Sequence, residues 1–148
     1  MKIRRARSED IVALVGLERQ APSAAHWAES FYLNLFEDGA VDRVLLVAEE
    51  EEGALRGFLV ARILGEECEL ENIVVADGNR RRGLGSKLLR ALMNTARGRN
   101  ATCIFLEVRE SNVTARAFYE TCGFSTDGRR KSYYSDPPED AVLYTLAM

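Results

Sequence analysis

The turn Arg80-Arg81-Arg82-Gly83-Leu84-Gly85 concentrates residue types suited to holding a phosphate. It follows an apolar run, Asn72-Ile73-Val74-Val75, and leads into a stretch with helical spacing that begins at Leu84. A helix N-terminus carries amide N–H groups without intrahelical partners and the positive end of a dipole, so strand, turn and helix together make an anion site. Gly83 and Gly85 remove side chains that would hold a pyrophosphate away from the backbone, and the arginines add charge. Gly83-Leu84-Gly85-Ser86-Lys87-Leu88 lacks the third glycine of a dinucleotide fingerprint, and no GxxxxGK followed by Ser or Thr occurs, so hydride transfer and ATP hydrolysis lose support. What stands is R-x-x-G-x-G, a pattern that a glycine-containing turn with solvated arginines would also produce.

A second constellation follows about twenty residues later: Leu106-Glu107-Val108-Arg109-Glu110-Ser111-Asn112, then Ala115, Tyr119, Gly123 and Phe124. Asn112 suits the N-cap of a helix, and Tyr119, two helical turns on, faces the same side. Read alone, Glu107 could equally pair with Arg109 on its own strand face, and Tyr119 could be a core aromatic. Glu69 and Glu71 alternate on the preceding strand, where a solvated or salt-bridged face is the plainer explanation. Tyr133 and Tyr134 precede Asp136-Pro137-Pro138 in what reads as a loop.

The elements that must position these residues form a mixed pattern. Lys2 to Arg5 reads as a first strand, and Ser8 as the cap of a helix with Glu9 and Asp10 in its first turn and Ile11, Val12, Leu14, Val15 and Leu17 on its apolar face. A second helix is predicted from Trp27 to Phe36. Val44 to Ala48 and Leu55 to Ile63 form a hairpin around the acidic tip Glu49 to Gly53. Cys68 to Val75 is a strand; a helix carrying Leu84, Leu88, Leu89, Leu92 and Met93 follows the turn; Ala101 to Val108 is a strand; Asn112 to Cys122 is a helix. Phe124 onward and Ala141 to Ala147 close the chain as a β pair. The order indicates an α/β (α+β layered) sheet.

With 148 residues, 47% hydrophobic and 29% charged, one domain spanning 1–148 accounts for the chain. Met1-Lys2-Ile3-Arg4-Arg5 runs into charge, so neither a signal peptide nor a membrane span is expected, and the expected compartment is the cytoplasm. Cys68, Cys103 and Cys122 show no CxxC pair, and His26 is the sole histidine, which argues against a disulfide framework, a catalytic thiol and a metal site. A net charge of −3 argues against nucleic acid as a direct partner.

The two constellations together resemble the GNAT acetyltransferase superfamily, in which an N-x-x-A-x-x-x-Y-x-x-x-G-F helix follows the fifth strand. Glu71-Asn72-Ile73-Val74-Val75, Leu106-Glu107-Val108-Arg109 and Arg130-Lys131-Ser132-Tyr133-Tyr134 with Glu139-Asp140-Ala141 are similar to the bacterial ribosomal-protein-alanine N-acetyltransferases, as is the early Trp27. The resemblance implies a twisted, mostly antiparallel sheet of about seven strands with four helices, splayed between strands four and five. It implies acetyl-CoA as co-substrate: Ile73, Val74 and Val75 beside the pantetheine arm, the amides of Arg81, Arg82, Gly83, Leu84, Gly85 and Ser86 on the pyrophosphate, and Asn112 on the cofactor arm. Glu107 becomes the expected base and Tyr119 the acid for the departing thiolate, with Phe118 taking the core position. An α-amine, with a pKa of roughly 7.7 to 8.0, is easier to deprotonate than a lysine near 10.4, so a carboxylate relaying through water can serve as the base. Tyr133 and Tyr134 are expected to bind the acceptor's N-terminus. The implied reaction is direct acetyl transfer to a protein α-amine, an N-terminal alanine of a small-subunit ribosomal protein, by a monomer or weak dimer. A lysine or small-molecule amine acceptor, or a non-catalytic CoA-binding regulatory module, are the alternatives.

Overall fold

Val44 to Ala48 and Phe58 to Ala61 are buried at every position, as strands covered on both faces must be. These runs are the hearts of β2 (Arg43–Glu49) and β3 (Leu55–Leu64), the hairpin the sequence predicts. The computed structural model describes residues 1–21, 29–36, 42–79 and 83–148. Around the hairpin lie β1 (Lys2–Arg5), β4 (Glu67–Val75), β5 (Cys103–Arg109), β6 (Ser125–Tyr134) and β7 (Glu139–Ala147) in one seven-stranded sheet ordered β1-β2-β3-β4-β5-β7-β6. Among the described residues only the β4–β5 pairing is parallel.

One face packs on α3 (Leu84–Gly98) and α4 (Val113–Thr121), through Leu84, Leu88, Leu89 and Leu92 of α3 and Tyr119 of α4. The other packs on α1 (Ile11–Arg19) and α2 (Glu29–Asn34), through Ile11, Leu14, Val15 and Tyr32. The α3 leucines recur at helical spacing, which turns one stripe to the sheet.

Two irregularities shape the middle of the sheet. Val60 pairs with Asn72 and Ala61 with Leu70, so Glu71 is an extra residue, a β-bulge in β4. The β4–β5 ladder consists of Glu67↔Cys103, Cys68↔Ile104 and Glu69↔Phe105, and beyond it the two strands have no register partners in each other. The splay expected from the resemblance is therefore present, and it opens where the bulge sits.

Local details depart from expectation. The first helix is led by a 3-10 turn over Ser8–Asp10, and its start is fixed by Asp10, whose carboxylate accepts the Arg7 N–H at 2.7 Å and pairs with Arg4 at 2.9 Å. Ser8 lies inside that turn, with Arg7 at the cap position, so it is not the cap the sequence suggests. Tyr119, with 8% exposure, is the core aromatic of α4, and Phe118 is only partly buried. Tyr133 and Tyr134 end strand β6 and do not lie in a loop. His26 and Trp27 lie outside the described residues.

Candidate active site

On the β4 side of the splay the furnishing is backbone and apolar side chains. Past the bulge, Asn72 and Val74 turn towards α1 and α2, while Ile73 and Val75 pack against the α3 cluster. Asn72 is buried, and its Nδ2 donates to Glu18 Oε1 at 3.3 Å; Glu18 is 1% exposed. This contact ties the bulge to α1. Tyr32, beside the pair, has its phenol pushed up, first by burial and then by Glu18.

Gly83 caps α3 in the left-handed region, with φ 77°, a conformation costly for any side chain, and the Lys87 N–H reaches its carbonyl at 3.0 Å. The fifteen-residue helix therefore opens with the Leu84, Gly85 and Ser86 amides beyond the first intrahelical bond. Gly85 has a further reason beside the one its sequence suggests. A Cβ there would stand 3.1 Å from the Phe118 ring, so the missing side chain makes room for α4 to pack on α3. Arg80, Arg81 and Arg82 lie outside the described residues.

On the β5 side the furnishing is charged. Ile104, Leu106 and Val108 point into the α3–α4 cluster, so by strand alternation Phe105, Glu107 and Arg109 face the other way. The Glu107 side chain is 13% exposed, and its partner is Arg130 of β6, whose Nε stands 3.0 Å from Oε1. Arg109, the partner that the alternative reading of Glu107 offers, instead donates to the Ser135 and Pro137 carbonyls and pairs with Glu139. Glu139 also accepts the Ser111 N–H, and Asp140 the Ser132 N–H, so both acids fold the β6–β7 connection.

Tyr133 and Tyr134 pack edge to face at 5.1 Å, with Arg130 over the first ring and Arg109 over the second at 5.5 and 4.5 Å. The charge of Glu107 is the main reason the Tyr133 phenol is held above its ordinary pKa, ahead of burial. Tyr134 is pushed up to about 12, mainly by burial and then by Glu107. The structure thus brings Glu107, Tyr133 and Tyr134 together.

Tyr119 packs among Phe118, Phe124 and Tyr144, on the opposite face of the sheet from Glu107. Burial is the main cause that raises its phenol, which keeps it a proton donor at neutral pH. Asn112 caps α4 as expected, its Oδ1 accepting the Ala115 N–H at 3.2 Å, and Nδ2 is the donor of the same amide.

Of the two alternative carboxylates, Glu71 is held by Arg43 at 3.3 Å, and its carboxyl is raised, first by desolvation. Arg43 also lies over the Phe31 ring of α2, so Glu71 belongs to an α2 contact. Glu69 instead lines a groove of about 290 Å³ with Arg62, Leu64, Glu67 and Phe105. The groove begins two residues along β5 from Glu107. Among the described residues no group of three or more His, Cys, Asp or Glu is placed to hold a metal ion, and no helix is long and apolar enough to cross a membrane.

Arg130 and the Glu18–Asn72 contact escape the sequence reading. Both join elements far apart in the chain: strand order brings Arg130 to Glu107, and the packing of α1 on the sheet brings Glu18 to Asn72. The period-two pattern of β6 could have shown that Arg129 and Arg130 face opposite ways, but it does not show what either meets.

Comparison with known proteins places this site in context. Residues 9–124 match the Acetyltransferase (GNAT) family. The [ribosomal protein bS18]-alanine N-acetyltransferase of Escherichia coli (strain K12) is 32% identical over 139 residues, which cover 93% of this chain and 90% of that protein. The crystal structure of the ribosomal-protein-S18-alanine N-acetyltransferase from Escherichia coli superposes with a TM-score of 0.83 at 28% identity, covering 99% of this chain and 92% of that one. Chaetomium thermophilum Naa20, solved in complex with a bisubstrate analogue, gives a TM-score of 0.86 at 26% identity, covering 100% and 87%.

Proposed function

The chain belongs to the GNAT acetyltransferase family and is an acyltransferase, and from that premise we propose that it acetylates the α-amino group of a protein N-terminus, an N-terminal alanine of a small-subunit ribosomal protein, with acetyl-CoA as donor. The observation that carries the reading is the placement of Glu107 beside Tyr133 and Tyr134, at the point where β4 and β5 part. The alanine named in the bS18-specific relatives supports the acceptor class.

The residues fit the donor. The β4 edge at Ile73, Val74 and Val75 faces the splay, where an extended amide-bearing arm can add to the sheet as a strand would. The amides of Gly83, Leu84, Gly85 and Ser86, with Arg81 and Arg82, would hold the pyrophosphate, and Asn112 Nδ2 would meet the arm. Bound acetyl-CoA supplies the thioester. Glu107, directly or through a water, takes a proton from the attacking amine, and Tyr119 gives one to the departing sulfur across the gap. Tyr133 and Tyr134 position the acceptor's first residue. Later residues of the acceptor run along the Phe105–Glu69 groove.

Incubation with acetyl-CoA and peptides ending in free N-terminal alanine, read by mass spectrometry with site assignment, tests the reading. Acetyl on the α-amine is expected. Acetyl confined to lysine side chains or free polyamines would sink it.

A further inference from the structure

Arg130 is a cation with no role in the chemistry above, yet it stands on the group the chemistry needs. Its side chain is 57% exposed and that of Glu107 only 13%, so a largely solvated guanidinium is set on a largely enclosed carboxylate. The reach is long. β7 lies between β5 and β6, so Arg130 spans about two strand spacings, roughly 10 Å, to touch Glu107. Its neighbour Arg129, on the opposite face of the strand, is committed to Glu110 and Asp140. Beyond Arg130 the β6–β7 register is broken before Tyr134, and Ser132 takes φ 51°, so the strand carrying Arg130 is irregular just where it meets the site.

We infer that Arg130 is the resting counter-ion of Glu107 and occupies the place that the acceptor's ammonium takes on binding. An α-amine with a pKa of roughly 7.7 to 8.0 arrives mostly protonated at neutral pH. It therefore exchanges with Arg130 one cation for another, and the enclosed carboxylate is never left without an opposite charge. Arg130, stacked over Tyr133, has the exposed side of that ring as its path out of the site. The other charged or titratable groups around Glu107 are Tyr133 and Tyr134 of β6, Glu69 of β4 and Arg109 of β5, and none of them is a cation bound to it. Arg130 is a positioning residue: it acts through Glu107 and sets the cost of acceptor entry.

The inference rests on the reading that an amine acceptor meets Glu107, and the two can fail separately. Steady-state kinetics of Arg130→Met and Arg130→Lys, with the amine that the wild type acetylates, give the test. In Arg130→Met the acceptor KM should fall about two- to five-fold, as expected for loss of a partly exposed competing pair, with kcat held or raised. Arg130→Lys should return the KM towards wild type. A higher acceptor KM in Arg130→Met, or an unchanged one, overturns the inference. A wild type that acetylates only lysine or polyamines removes the N-terminal reading and leaves this comparison to be run with that amine. Independently of turnover, the Arg130 Nε–H in ¹⁵N spectra should be protected from exchange in the free protein and lose protection at saturating alaninamide; protection retained at saturation also overturns it.

Discussion

β4 and β5 run side by side as far as Glu69 and Phe105, and from there each furnishes the cleft with a different material. The β4 side offers backbone, a bulge, a glycine-capped helix and a buried amide on a buried acid. The β5 side, with β7 and β6 beyond it, offers ionised side chains on progressively more exposed strands, and every residue of β6 before Tyr134 is exposed. A donor that is the same in every turnover suits a fixed backbone site. An acceptor that must be admitted, deprotonated and released suits side chains that can exchange partners. The difference teaches that the two halves should respond to mutation in different observables.

The largest effect belongs to the charged half. Glu107→Gln keeps the shape and removes the proposed base, so kcat/KM should fall about 10²- to 10⁴-fold, while acetyl-CoA affinity, measured by calorimetry, stays near wild type. A loss below tenfold would move the base to Glu69 and dissolve the division between the halves.

The buried half should answer in stability. Asn72→Ala removes the amide that donates to the enclosed Glu18 carboxyl and should cost about 2 kcal/mol in urea unfolding. Because the contact fixes the bulge where β4 leaves β5, the KM for acetyl-CoA should rise more than that for the acceptor. Equal rises in both would show that the bulge does not set the donor side alone. Gly83→Ala forces a side chain into φ 77° at the α3 cap and should cost about 1 kcal/mol, again with the donor KM rising and the acceptor KM unmoved.

The same division governs what could be read from the sequence. The β4 half was legible because local physics writes it locally: an apolar run, a glycine at a left-handed cap and leucines at helical spacing are all contiguous. Even there a second reason for Gly85 is invisible locally, since Phe118, thirty-three residues on, packs against it. On the β5 half the residues Glu107, Tyr133 and Tyr134 were named by resemblance, but their partners were not. Arg109 was the nearest cation to Glu107 in sequence, yet it serves the Ser135 and Pro137 carbonyls, and Arg130 takes its place. Strand order decides that exchange: inserting β7 between β5 and β6 is a topological fact that no window of the sequence carries. Ser8 departs for a simpler reason: the turn starts one residue earlier than a serine cap implies, with Arg7 at the cap and its N–H held by Asp10.

The smallest effect distinguishes the halves by the cause of a pKa shift. Tyr119 and Tyr133 are both raised, the first mainly by burial and the second mainly by the charge of Glu107. A phenol whose pKa is higher in the folded state than in the unfolded one holds its proton longer when folded. Its contribution to stability is therefore full below the unfolded value of 10.0 and is lost as pH rises above it. At pH 10.5 each tyrosine should account for less than about 1 kcal/mol, read as the difference between wild type and the Tyr→Phe variant in denaturant unfolding. Salt separates them. Charge on a half-exposed ring is screened within about 8 to 10 Å at ordinary ionic strength, and burial is not, so 1 M salt should shrink the alkaline difference for Tyr133→Phe and leave that for Tyr119→Phe in place. If both differences shrink together, Tyr119 is held by charge as Tyr133 is, and the phenol assigned to the buried half belongs instead to the field of Glu107.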